Sequence, residues 1–102
     1  MAQTFVLDAT FRVTNRGLVL ATRKWTAGIR VGQRVMLPSL GAQTRFERIT
    51  AIETGRKLDE QGRPVAWIGL LLGDVPEGEI PQLQAQLRNG DTLTVHDPER
   101  AA

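Results

Sequence analysis

Apolar and polar residues alternate almost from the start of the chain. Phe5, Leu7, Ala9, Phe11 and Val13 occupy every second position, with Asp8, Thr10 and Arg12 between them. Successive side chains of a strand point to opposite faces, so this pattern predicts a strand with one buried face. Asn15-Arg16-Gly17 follows, in which Asn and Gly tolerate positive φ, and Leu18 to Trp25 returns as a second extended run. The two runs predict a hairpin. Ala27-Gly28 and Val31-Gly32 bracket a short turn, and Arg34-Val35-Met36-Leu37 predicts a third strand closed by Pro38, which has no N–H to give a ladder. Leu40 to Gln43 reads as loop. A fourth strand from about Thr44 to Glu53 has Phe46, Ile49 and Ile52 as its apolar residues. Their spacing of three suits a helix, but a β-bulge shifts the side-chain phase by one residue and accommodates the β-branched content of the stretch.

Gly55 to Pro64 is polar and rich in turn formers, which predicts an exposed loop. Val65 to Leu72 is nearly continuous apolar sequence, as in a strand buried on both faces or a barrel strand with one face covered by another element, and Gly69 within it marks a bend or a close backbone approach. Ile80, Leu83 and Leu87 stand at helical spacing between Pro76 and Asn89-Gly90, predicting a short amphipathic helix over Glu79 to Arg88. Thr92 to His96 is the last strand. Short strands, glycine-rich turns and one small helix place the chain in the all-β class, as a barrel or a sandwich. Its 102 residues suit one core. A single domain is expected over residues 1–97, with a flexible tail from 98 to 102.

Composition narrows the chemistry. With 41% hydrophobic and 24% charged residues the chain has the usage of folded proteins, not of disordered ones. There is no cysteine, which excludes a disulfide framework, a thiolate nucleophile and a zinc-thiolate site. The start of the chain lacks a basic then apolar leader, and the apolar run Val65 to Leu72 is too short for a membrane-spanning helix, so a cytoplasmic protein is expected. Net charge is +2, but its distribution is uneven. Residues 1–51 hold eight basic residues against two acidic ones, and residues 52–102 hold five against nine. A basic half of this kind either solvates strand faces or forms a surface for a polyanion.

Catalytic signatures are missing. No GxxxxGK[ST] phosphate loop occurs, His96 is the only histidine, and the carboxylate pairs Asp59-Glu60 and Glu77 with Glu79 fall in turn-like sequence. Neither a metal nor a cofactor is expected. Trp25 and Trp67 are candidates for core positions or for stacking platforms.

The order of these elements carries a resemblance. Phe11-Arg12-Val13, Asn15-Arg16-Gly17-Leu18-Val19-Leu20 and Ile29-Arg30-Val31-Gly32-Gln33-Arg34-Val35 resemble the opening of the second domain of Tu-type translation elongation factors. Ile52-Glu53, Arg56-Lys57-Leu58-Asp59-Glu60 and Ile68-Gly69-Leu70-Leu71-Leu72 continue the likeness over most of the chain. The resemblance implies a small closed antiparallel β-barrel. In elongation factors this domain lies beside the GTP-binding domain and helps hold the aminoacylated end of transfer RNA. The family's contact motif aligns with Glu53 to Arg56, where Thr54 and Gly55 replace a Met and a Phe, leaving Glu53 and Arg56 as the matching positions.

Two function classes follow. One is a module docking to a protein partner through an exposed apolar patch near Trp25 or the Leu83 and Leu87 helix, or pairing with a second copy as a homodimer. The other is an RNA- or ribosome-associated protein using Arg12, Arg16, Arg23, Arg30, Arg34, Glu53 and Arg56.

Overall fold

The computed structural model describes residues 3–23, 27–37 and 45–98. Trp25, Pro38, the expected loop Leu40 to Gln43 and the tail beyond residue 98 lie outside the described residues. Among the described residues eight strands are formed: β1 (Gln3–Val6), β2 (Ala9–Val13), β3 (Gly17–Thr22), β4 (Arg34–Leu37), β5 (Arg45–Arg48), β6 (Ala51–Leu58), β7 (Pro64–Leu72) and β8 (Thr92–His96). A single 3-10 turn, Glu77–Glu79, leads into the helix α1 (Ile80–Gln86). The strands make two antiparallel four-stranded sheets, sheet A in the order β1-β8-β4-β5 and sheet B in the order β2-β3-β7-β6. The turn between β2 and β3 uses positive φ at Asn15 and Gly17, as the sequence predicts.

The first predicted strand is interrupted at Leu7 and Asp8. The Asp8 N–H donates to the Ala21 carbonyl at 2.8 Å, while Ala9 is the ladder partner of the same Ala21. Two residues therefore face one, and the side-chain phase shifts as in a bulge. Phe5 and Leu7 enter the core, but Phe11 is paired with Val19 and Arg12 with core residue Leu18. Opposed residues share a face, so Ala9, Phe11 and Val13 point away from the core, against the expectation of one continuous buried stripe.

The same device recurs between β5 and β6. Thr50 N–H donates to the Leu71 carbonyl at 2.8 Å while Ala51 pairs with Leu71. This is the bulge the sequence calls for, and it turns Ile49 and Ile52 to one side although they are three residues apart. Phe46 does not join them. It lies opposite Met36, on the outward phase of β4 and β5, and is 39% exposed.

Residues Gly55 to Leu58, expected as loop, extend β6, and the turn shrinks to Asp59–Arg63. The Asp59 carboxylate accepts the backbone N–H groups of Gln61 at 2.9 Å and Arg63 at 2.8 Å. Polar sequence here reflects the edge position of β6 in its sheet, where an apolar strand would invite pairing with other chains.

The core lies between the sheets. Leu18, Leu20, Leu70 and Leu72 of sheet B meet Phe5, Val35, Leu93 and Val95 of sheet A, with Ile80, Leu83 and Leu87 from the helical segment. Side-chain contacts tie that segment to an edge strand of each sheet: Glu77 and Gln84 to Arg12 and Thr10 of β2, Glu79 to Arg45 of β5. Leu83 and Leu87, expected on an exposed patch, are 0% and 7% exposed. Their helical stripe has found the inter-sheet core of its own chain, where each full burial contributes about 1.5–3 kcal/mol. Among the described residues no helix is long and apolar enough to cross a membrane.

Candidate interaction surfaces

All six residues of β3 are buried, which a strand with one solvent face would not show. Leu18 and Leu20 belong to the inter-sheet core, whereas Val19 and Ala21 face the other way. They are covered from outside by side chains of the neighbouring strands. Phe11 of β2 and Trp67 of β7 approach across β3 with ring centroids 6.4 Å apart and planes tilted by 50°. Trp67 lies flat because two glycines make room for it. A Cβ on Gly55 would stand 2.7 Å from Trp67 Cζ2, and one on Gly69 would stand 2.8 Å from Cζ3. The outer face of sheet B thus carries a continuous apolar patch of Phe11, Val19, Trp67 and Leu71, with Phe11 40% exposed.

A cleft of about 420 Å³ adjoins this patch, between the β6–β7 turn and the bend at Asp8. Trp67 and the 68%-exposed Leu58 contribute its apolar wall. Four of the charged side chains that line it are paired with one another, and the Glu60 carboxylate lines it as well. Arg23 meets Asp8 at 3.4 Å and Arg63 meets Asp59 at 3.2 Å, and both carboxylates also hold backbone N–H groups. Among the described residues no group of three or more His, Cys, Asp or Glu side chains is placed to hold a metal ion. What this region offers chemically is apolar contact area framed by two ion pairs and the Glu60 carboxylate.

Folding offsets part of the charge asymmetry seen along the sequence. Arg12 pairs with Glu77 at 2.7 Å, Arg16 with Glu53, Arg45 with Glu79 at 2.7 Å and Arg48 with Asp74 at 3.2 Å, so basic residues of the first half meet acidic residues of the second. The Glu77 carboxyl is held below the usual range by the Arg12 guanidinium and then by the Asn15 N–H. Arg45 is held above its ordinary value chiefly by Glu79, with Glu47 adding to the effect against partial burial.

The residues predicted as a nucleic-acid site are therefore not gathered into one stripe. Arg12 reaches towards the 3-10 turn, Arg16 and Glu53 form a pair beside the sheet B patch, and Arg23 lines the cleft. Glu53 and Arg56 both lie on β6, but three residues apart on a strand they project to opposite faces. Arg30 lines a separate recess with Gln3, Gln33 and Asp97.

Arg34 lies directly opposite a second arginine and meets no carboxylate among the described residues. On β4 it is the ladder partner of both Arg48 on β5 and His96 on β8. Its guanidinium lies 4.9 Å from the Phe46 ring centre, and its Nε donates to the Asp97 backbone carbonyl at 3.2 Å. Phe46 in turn meets His96 edge-on at 5.2 Å.

No family model matches the chain, and no solved structure matches it.

The signal for the sheet B patch is present in the sequence as the unbroken apolar run Leu18 to Ala21, which needs cover on both sides. The signal for the Arg34 row is not, because cross-strand neighbours from three distant segments become adjacent only when the register is known.

Proposed function

We propose that this protein is a non-catalytic cytoplasmic binding module of the kind found as the second domain of Tu-type elongation factors, docking to a protein partner through the outer face of sheet B. The observation that carries this reading is the Phe11 and Trp67 pair, partly open to solvent over a strand that is buried on both faces. Interface centres are depleted of charge and enriched in aromatic anchors, with paired charges at the rim, which is the composition of this face. The pairing of Arg16 with Glu53 and of Arg23 with Asp8 leaves little net field to attract a polyanion there.

The barrel belongs to the same reading. Residues 3–13 and 45–58 each bend at a bulge and hydrogen-bond in both sheets: Leu7 N–H goes to the Asp91 carbonyl beside β8, and Asp8 N–H goes to Ala21 of β3. Two shared bent strands support a single closed barrel domain over residues 1–97.

Photo-crosslinking in cells tests the docking face. A benzophenone amino acid placed at Phe11 is expected to trap one discrete protein product, whether a different chain or a second copy. The same group at Thr92, on sheet A, is expected not to trap it. Equal products from both positions would count against a dedicated face.

A further inference from the structure

The outer face of sheet A has a different chemistry. Val35, Leu93 and Val95 are core residues, so by strand alternation the outward positions are Thr4 and Val6 on β1, Thr92, Thr94 and His96 on β8, Arg34 and Met36 on β4, and Phe46 and Arg48 on β5. None of these is acidic. Across β5, β4 and β8 the row reads Arg48, Arg34, His96, each in register with the next. Two arginines directly opposite each other destabilise an antiparallel pair. The fold relieves this only in part. Arg48 has a loose contact with Asp74, at 3.2 Å between two side chains that are both more than half exposed, and Arg34 meets no carboxylate among the described residues.

Two arginines in register, Arg34 with no carboxylate partner among the described residues and Arg48 with only the exposed Asp74, stand beside a partly exposed aromatic ring, and such a combination can hold single-stranded nucleic acid, phosphates taking the cations and unstacked bases lying against the ring. Phe46 supplies that ring, 39% exposed and already fixed by Arg34 and His96. Hydroxyls of Thr94 and Thr92 continue the polar band along β8, and Thr94 Oγ1 lies 3.3 Å from His96 Nε2. We infer that the outer face of sheet A, centred on Arg34, Arg48, Phe46 and His96, binds single-stranded nucleic acid independently of the protein-docking face on sheet B.

Fluorescence anisotropy of labelled oligouridylate and oligothymidylate, with heparin as a polyanion without bases, tests this on the whole protein. The native chain is expected to bind at low salt and to weaken steeply as salt rises, losing about 0.7 in log–log slope for each phosphate contact removed. Arg34→Gln with Arg48→Gln should weaken binding about tenfold or more and flatten the salt dependence. Phe46→Ala should weaken oligonucleotides at least about fivefold and leave heparin unaffected. Preference between the two oligonucleotides identifies RNA or DNA as the source of the strand, and circular dichroism confirms that each variant is folded. No binding at low salt, binding unaltered in the double arginine variant, or loss of heparin and oligonucleotide binding in equal measure on Phe46→Ala would each overturn the inference. Phe11→Ser, on the other sheet, is expected to leave nucleic-acid binding intact, so failure of one proposal is distinguishable from failure of the other.

Discussion

Phe11 and Trp67, on strands that are not neighbours, meet over β3 with ring centroids 6.4 Å apart. The contact depends on Gly55 of β6, whose missing side chain is the space that the indole occupies. Gly55→Val is therefore expected to push the indole off the sheet and separate the two rings. The Trp67 indole proton resonance would shift. An unmoved resonance would mean that the indole does not rest on Gly55.

Burial separates the helix leucines from the surface aromatics. Leu83→Ala opens a cavity in the inter-sheet core and is expected to cost about 2–5 kcal/mol in urea unfolding. Phe11→Ser forfeits the pair with Trp67, worth about 0.5–1.5 kcal/mol beyond the area the ring buries, and should cost less than Leu83→Ala. Similar costs for the two would contradict the assignment of Leu83 to the core and Phe11 to the outside.

Glu77 sets a pH dependence at the acid end. Its carboxyl is held low by Arg12 and by the Asn15 N–H, so the folded state binds this proton less tightly than the unfolded state does. The stability it contributes is complete above the ordinary carboxylate range and is lost as pH falls through the lowered folded value. Native protein and Glu77→Gln should differ by a constant amount at neutral pH, and the difference should shrink in acid. A difference that grew in acid would have the wrong sign.

Arg34 tests whether the cationic row is retained for binding or for stability. Arg34→Thr removes one like-charge pairing, with Arg48, and one cation–π contact worth about 0.5–1 kcal/mol, so stability is expected to stay within about 0.5 kcal/mol of native. A loss above about 2 kcal/mol would make the row a structural feature.

Much of the fold is legible in the sequence because local pattern and tertiary demand agree. The β2–β3 turn follows from Asn15 and Gly17, the helix from Ile80, Leu83 and Leu87, and the last strand from Thr92 to His96. Alternation misleads where a bulge intervenes. Ala9, Phe11 and Val13 continue the period of Phe5 and Leu7, yet Asp8 adds one residue against Ala21 and turns the second half of the stripe outward. The same shift at Thr50 can be anticipated, because Ile49 and Ile52 break the period visibly. Gly55 to Leu58 looks like loop because an edge strand carries polar residues for the same reason a loop does. The candidate surfaces are least legible. Charge counted along the chain implies a basic half, whereas the register brings Arg12, Arg16, Arg45 and Arg48 to acids far away in sequence and leaves Arg34 among like charges.

Hydroxyl-radical footprinting is the most direct measurement of the docking claim, since it reads side-chain exposure in the protein's own surroundings. Oxidation of Phe11 and Trp67 is compared between cell extract and purified protein, with exposed Val31 as the internal reference. The account predicts that both aromatics are protected in extract and become reactive after purification, while Val31 reacts equally in both. Equal reactivity of Phe11 and Trp67 in the two samples would contradict it.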